Sequence, residues 1–250
     1  MKFALVGYGR MGHAIERQAV ARGHELAATL DAGAMDTAGP GSFDGVDVAL
    51  EFTRPEAAGG NVLRLLQCGI PVVCGTTGWT PGASVERAAR ERGVGAVIAP
   101  NFSVGMNLFY RLAREAARLF GEAGLHQPYL LEAHHRAKRD VPSGTSRRLA
   151  QIVIAQDPRL TGVHEGNPSE PLPPDQLHVA SIRAGSEPGT HVLGFDGEHD
   201  AVLLKHSARG RAGFALGAVM AAEWVRERGG LHDFEPVLDA LLESGSGSEV

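Results

Sequence analysis

Apolar positions recur along this chain with two alternating periods. Lys2-Phe3-Ala4-Leu5-Val6 is a short apolar run with glycine directly behind it, the pattern of a buried strand. From Gly12 to Arg22 the spacing becomes helical, with Ile15, Ala19 and Val20 on one face. The alternation then repeats. Strands are predicted at Leu26–Leu30, Val46–Glu51, Ile70–Cys74 and Ala96–Ile98, and helices at Asn61–Gln67 and Glu86–Arg92. Strands that alternate with helices predict a parallel sheet covered on both faces.

The pattern changes after Asn101. A long helix is predicted over Leu108–Phe120, with Leu108, Leu112, Ala116 and Leu119 in register. A strand at Tyr129–His134, a helix at Thr145–Ala155 and a loop from Asp157 to Asp175 follow. His178–Arg183, His191–Phe195 and Ala201–His206 then read as strands of an antiparallel meander. Phe214–Arg226 and Phe234–Leu242 are helices, and the Gly/Ser-rich tail Ser244–Val250 is expected to be disordered. The fold class is therefore α/β: an N-terminal Rossmann-type parallel sheet domain plus a smaller α+β domain with a mainly antiparallel open sheet. The pattern leaves open which domain takes the last two helices.

Composition narrows the function classes. A net charge of −5 over 250 residues argues against general binding to nucleic acid, which needs a broad basic surface. No apolar run approaches the roughly 18 residues of a membrane span, and the strand at Met1–Val6 reads as leaving no room for a signal peptide. Cys68 and Cys74 are too few for a disulfide scaffold, so a reducing cytoplasm is expected. Cys74 reads as a small buried residue, with no activating histidine near it in sequence.

The chemistry starts at Gly7-Tyr8-Gly9-Arg10-Met11-Gly12, which fits G-x-G-x-x-G between a strand and a helix. Such a turn brings backbone close to a pyrophosphate and offers it the N–H groups of a helix start. Asp31, 19 residues after Gly12, stands where a carboxylate holds a ribose 2′-hydroxyl. It would repel a 2′-phosphate, and Ala32 and Gly33 supply no cation to offset that. NADH is therefore expected as the favoured cofactor over NADPH. Three further loops should reach the same edge of the sheet: Glu51-Phe52-Thr53, Cys74-Gly75-Thr76-Thr77-Gly78 and Ala99-Pro100-Asn101-Phe102-Ser103. Phe52 and Phe102 are expected to pack against the nicotinamide or its ribose.

The segment from Glu132 to Thr145 is the richest in charge. Between His134 and Arg148 it carries five Lys/Arg and a single acid, Asp140, an excess that points to an anionic ligand. Ser143-Gly144-Thr145 precedes a helix and can bind a carboxylate through N–H and hydroxyl groups. Lys138 adds charge within reach of it, and His134 and His135 titrate near neutrality. A small dicarboxylate substrate and proton transfer are expected. A solvated loop with capping hydroxyls is the bland alternative. A zinc site is disfavoured, because adjacent histidines in a strand face opposite ways and neither cysteine has ligand spacing; no metal is expected.

Taken in order, Gly9 to Gly12, Glu51 to Thr53, Gly75 to Gly78, Asn101 to Asn107 and Glu132-Ala133-His134-His135 through Lys138 to Pro142-Ser143-Gly144-Thr145 resemble the motifs of the 4-hydroxy-tetrahydrodipicolinate reductase family. The last segment is highly specific; the glycine turn is not. The resemblance runs from the N-terminus to the helix near Phe214. It implies that His134 donates or accepts the proton, that Lys138 is the second catalytic group, and that His135, Gly144 and Thr145 touch substrate. It implies a cofactor site of Gly7 to Gly12, Asp31, Gly75 to Thr77 and Ala99 to Phe102, and a homotetramer joined through the second domain's sheet. It also implies that the last helices return to the nucleotide domain, giving domains 1–104 with 214–250 and 105–213. A cleft between two such domains is expected to close around substrate, with hinges near Val104-Gly105 and Arg211-Gly213. There are departures. The glycine turn is one residue shorter than in many relatives, no cation follows Asp31, and Val141 and Ser146 stand where alanines are common. The rival classes are another two-domain dehydrogenase of a small carboxylate or amino acid, and a non-enzymatic NAD-sensing protein.

Overall fold

The computed structural model describes residues 1–245. The chain divides into two units, Met1–Val104 with Arg211 onward, and Gly105–Gly210. Residues 246–250 of the expected disordered tail lie outside the described residues, while Ser244 and Gly245 end the last helix.

The first unit is built on a six-stranded parallel sheet. Its strands are β1 (Lys2–Val6), β2 (Glu25–Leu30), β3 (Val48–Glu51), β4 (Val72–Cys74), β5 (Gly95–Ile98) and β11 (Gly230–His232), in the order β11-β5-β4-β3-β1-β2. Every residue of β3 and β4 is buried, so these strands are apolar runs rather than alternating ones, except for Glu51 at the end of β3. The helices are α1 (Arg10–Ala21), α2 (Ala32–Thr37), α3 (Pro55–Gln67), α4 (Ala83–Arg92), α7 (Ala212–Val225) and α8 (Phe234–Gly245). Two apolar cores lie on the two faces. One joins Phe3, Leu5 and Ile15 to α7 and Phe234, and the other joins Ala4, Val6 and Leu65 to Val85 and Ala89. On α1, Ile15 and Ala19 are buried as the spacing predicts, but Val20 is exposed. β11 was not expected: three residues give no periodic signal, and it forms by pairing with β5.

The second unit carries α5 (Val104–Ala123), β6 (His126–His134), α6 (Gly144–Gln156), β7 (Gly162–Glu165), β8 (Gln176–Arg183), β9 (Thr190–Gly197) and β10 (Ala201–Ser207). Its strand order, β10-β9-β6-β8-β7, corrects two expectations. β6 is inserted between β8 and β9, so the last three strands are not a meander. The sheet is also mixed rather than mainly antiparallel: β6·β9 and β9·β10 are antiparallel, β6·β8 and β7·β8 parallel. β7 lies within the expected loop from Asp157 to Asp175. The register of α5 is a third correction. Met106, Phe109, Ala113, Ala117 and Gly121 face the core, while Leu112 and Leu119 are exposed. The inward stripe needs small residues: a Cβ on Gly121 would already sit 3.1 Å from the Cα of Asp157.

Candidate functional site

In the first unit the sheet order reverses between β1 and β3, the switch point at which open α/β sheets hold ligands. Gly7 closes β1 with φ +91°, and a Cβ there would lie 2.5 Å from the carbonyl oxygen of Phe52, so only glycine fits. A Cβ on Gly12 would meet Gly7 O at 2.7 Å, which explains the third glycine. Nothing lies within 4 Å of a Cβ on Gly9, leaving open space above the backbone. Gly9 is also the N-cap of α1. It supplies no side-chain cap, and the helix's first turn holds no acid. That is a helix start suited to a dinucleotide's phosphates. Arg10 and Met11 open the helix; Tyr8 leans over it, with its ring 4.1 Å from that of His13 and its hydroxyl donating to Glu16. Asp31 N-caps α2, accepting from Ala34 N at 2.9 Å, and is exposed.

The loops after β3 and β4 are tied by one buried acid. Glu51, fully buried, accepts from Thr76 Oγ1 at 2.6 Å, from Asn61 Nδ2 at 3.1 Å, from the Cys74 thiol at 3.1 Å and from the Thr53 hydroxyl. Thr53 N donates to Thr76 Oγ1 at 2.8 Å. The Cys74 thiol is pushed up, first by burial and then by Glu51, which suits a donor and not a nucleophile. Phe52 covers Gly75, where a Cβ would sit 2.1 Å from its ring, and Thr77 stays exposed. Phe102 corrects an expectation. It is 2% exposed, packed edge-on to Phe234 with ring centroids 5.0 Å apart, so its side chain belongs to the core rather than to a ligand surface. The surface of that loop is left to backbone, to Pro100 and to Asn101, whose Oδ1 accepts from Ser103 N at 2.9 Å; Ala99 is buried.

In the second unit the charged segment joins the end of β6 to the start of α6. Glu132 and His134 are two residues apart on one strand and so share its inner face. His191 is the cross-strand partner of Glu132, and Arg183 that of His134. Glu132 Oε1 accepts from Ser143 N at 3.1 Å and from Arg183 Nη2 at 2.8 Å; its Oε2 lies 2.9 Å from His134 Nδ1 and 4.0 Å from His191 Nε2. Arg183 Nη2 also donates to Asp140 O at 2.6 Å, clamping the loop that carries Lys138. Lys138 Nζ lies 2.8 Å from Asp140 Oδ1 and remains partly exposed. His135 lies one residue past the strand's end, and its carbonyl accepts from Lys138 N.

Ser143 departs from its expected role. It is 2% exposed, and its hydroxyl caps α6 by accepting from Ser146 N while facing His191 Nε2 at 3.3 Å. Gly144 is exposed and Thr145 half-buried at the same helix start. Arg183 and His191 are functional candidates that the sequence reading missed.

Burial sets the titration of this cluster. By itself it would raise Glu132. The hydrogen bonds from Ser143 and Arg183, with His134 nearby, outweigh it and hold the carboxyl at about 2. Burial pushes His134 below the ordinary imidazole value; Glu132 pulls it up, and Lys138 and Arg183 push it down. Burial and then His134 push His191 down to about 4. Each imidazole protonates more readily in the unfolded chain. The stability they lend is complete above the unfolded value near 6.5 and is lost as pH falls below it, for His191 down through about 4. The urea midpoint should therefore drop over that window, and His191→Asn should flatten the drop. An unchanged pH slope in the variant would show that His191 is not held neutral. Ligand atoms of Glu132, His134 and His191 lie within 4.8 Å of one another, a possible cation grouping among the described residues. The guanidinium of Arg183 lies on the same carboxylate and already supplies positive charge there.

Residues 1–102 match the family described as dihydrodipicolinate reductase, N-terminus, and residues 105–238 the one described as dihydrodipicolinate reductase, C-terminus. A 4-hydroxy-tetrahydrodipicolinate reductase of Christiangramia forsetii is 34% identical over 245 residues, covering 98% of this chain and 100% of the relative. Another, of Myxococcus xanthus, is 40% identical over 197 residues, 77% of this chain and 72% of the relative. A solved dipicolinate-bound dihydrodipicolinate reductase from Paenisporosarcina sp. TG-14 superposes with a TM-score of 0.75 at 24% identity, over 93% of this chain and 97% of that one, a likeness of fold. With both halves matched in order and a full-length relative above 30% identity, the chain belongs to the dihydrodipicolinate reductase family.

Proposed function

We propose that this chain reduces 4-hydroxy-tetrahydrodipicolinate to tetrahydrodipicolinate in diaminopimelate and lysine biosynthesis, in the cytoplasm, with NADH favoured over NADPH. Family membership supports the reaction. The observation that carries the residue roles is the second unit's grouping of a buried imidazole, a loop ammonium and an open helix start within one segment.

The cofactor, when bound, supplies a hydride; the substrate gains it at ring C4 and loses its 4-hydroxyl as water, and one proton is consumed. Gly7 to Gly12 would receive the pyrophosphate and Asp31 the adenosine ribose. The backbone of Gly75 to Thr77 and Ala99 to Phe102, with the Phe52 ring, would border the rest of the dinucleotide. The start of α6 at Gly144 and Thr145, together with Lys138 and His135, would hold a substrate carboxylate, where a helix start and an ammonium both favour negative charge. His134 would supply the proton. Ser143 would contribute indirectly, by capping that helix.

The test is NADH oxidation with the synthase-coupled substrate, run beside NADPH and beside amino-acid substrates of other dehydrogenases. Turnover of an amino acid, or cofactor binding without turnover of either substrate, would overturn the reading. Asp31→Asn keeps the cap on α2 but removes the charge. It should shift the NADH-to-NADPH ratio of kcat/KM toward NADPH by about tenfold, since like charges near a protein surface repel by roughly 1–4 kcal/mol at contact distance. An unchanged ratio would remove Asp31 from cofactor choice.

A homotetramer is part of the proposal. Tyr129, Leu131, Ala180, Ile182, Val192 and Leu203 share the face of the second sheet opposite Glu132 and His134, and Ile182 and Leu203 are strongly exposed. Such a patch suits association between copies. No helix among the described residues is long and apolar enough to cross a membrane.

A further inference from the structure

We infer that Glu132, braced by Arg183, is the positioning residue that fixes the tautomer of His134, so that Nε2 is the atom that exchanges the proton with substrate. The inference rests on the reading of His134 as proton donor and adds the group that makes it one. Three observations carry it. First, the contact is specific: Glu132 Oε2 lies 2.9 Å from His134 Nδ1, and the carboxylate is fully buried. The pair lies off the angle of a hydrogen bond, and neither atom has another hydrogen-bond partner, but an anionic oxygen this close to Nδ1 favours a proton there over a lone pair, which leaves Nε2 bare in the neutral ring.

Second, the carboxylate cannot turn away. Its other oxygen is pinned by Ser143 N at 3.1 Å and by Arg183 Nη2 at 2.8 Å. The same guanidinium nitrogen holds Asp140 O, so imidazole orientation and the Lys138 loop share one brace. Third, the residue beside Nε2 is a glycine, which spares that nitrogen a side chain. Gly189, at φ +140°, passes so close that a Cβ there would lie 3.1 Å from Nε2.

Groups from the neighbouring strands bear on this ring: Glu132 on β6, Arg183 on β8 and His191 on β9, with Lys138 and Asp140 from the loop, while His206 on β10 bears on His191. Of these, Glu132 and Asp140 favour the imidazolium, and Glu132 is the nearer. When Nε2 has given up its proton, the Glu132 carboxylate still faces Nδ1, so the proton left on the ring stays on that nitrogen for each turnover.

The first measurement needs no variant. Nitrogen-15 NMR of the full-length protein, with the His134 signals assigned by their loss in His134→Gln, should show neutral His134 protonated at Nδ1 and bare at Nε2. The opposite tautomer would overturn the inference whatever the activity. The second uses Glu132→Gln, whose amide can donate to Nδ1 and should invert the tautomer. It should lower kcat about 10²-fold, leave the KM for NADH within about twofold, and move the His134 midpoint down, because the carboxylate that favours the charged ring is gone. Glu132→Asp should regain part of kcat together with the Nδ1–H tautomer. An unmoved His134 midpoint, or full turnover in Glu132→Gln, would sink the inference. A separate result, full turnover in His134→Gln, would instead remove the reading it rests on.

Discussion

Lys138→Ala is expected to lower kcat by about 10²–10⁴-fold while the Kd for NADH changes by less than about twofold. The split follows from where the lysine sits. It lies in the second unit, on the loop between β6 and α6, whereas every group assigned to the dinucleotide is in the first unit. Its ammonium is held 2.8 Å from Asp140, and Asp140 is itself bound through its carbonyl to Arg183, so the charge is positioned before a ligand arrives. A held, partly exposed cation beside a helix start can stabilise negative charge that grows on a carboxylate substrate as hydride arrives. The carboxylate's own charge is present in the ground state, so part of the loss should appear in the substrate KM, and the charge that grows as hydride arrives adds the loss in kcat. Lys138→Arg should recover little, since a planar fork does not replace a point ammonium in a loop clamped to this geometry. Equal losses in turnover and NADH affinity would assign Lys138 to the cofactor and break the division of labour between the two units.

The parallel half of this protein is legible in its sequence because its physics is local. A strand buried on both faces must be an apolar run, and a parallel pair must be joined through a helix, so β1 to β5 and their helices can be read in order. The second sheet is less legible because its order depends on pairings distant in sequence. β6 fits between β8 and β9, and nothing in the alternation of any one strand says which neighbour it takes. β7 and β11 are too short to show a period. On α5 the leucines suggest one face, but the tight approach of Asp157 selects the alanines and Gly121.

The candidate site divides in the same way. Lys138, Gly144 and Thr145 stand out through local charge and a helix start. Arg183 and His191 are single polar residues in apolar strands, and their meaning appears only when cross-strand pairing brings them to Glu132. One signal was available: Glu132 and His134 lie two apart in a strand and must share a face. Phe102 and Ser143 were misplaced because a motif gives a residue's position but not the direction of its side chain.

Gly217→Ala is expected to destabilise the first unit by about 3 kcal/mol and to weaken NADH binding with it. Helix propensity argues the other way, since alanine in a helix interior gains roughly 1 kcal/mol over glycine. Packing decides the sign. Gly217 is buried in α7, and a Cβ there would lie 1.8 Å from the carbonyl oxygen of Phe102 and 2.9 Å from its carbonyl carbon. The obstacle is backbone, which cannot rotate aside as a side chain would. It is also pinned, because Phe102 is wedged against Phe234 in the core. Either α7 or the loop of Ala99 to Ser103 must shift, and that loop is one of those proposed to border the dinucleotide. For a protein of this length each kcal/mol corresponds to roughly 2–4 °C in Tm, so a fall of about 6–12 °C is expected. Gly213→Ala in the same helix is the control: no atom lies within 4 Å of its Cβ, and it should be neutral or slightly stabilising. If both variants melt like the wild type, α7 does not press on the Phe102 carbonyl, and the cofactor loop owes its shape to something else. If Gly217→Ala alone loses both Tm and NADH affinity, a helix distant in sequence from the glycine turn helps to shape the cofactor loop.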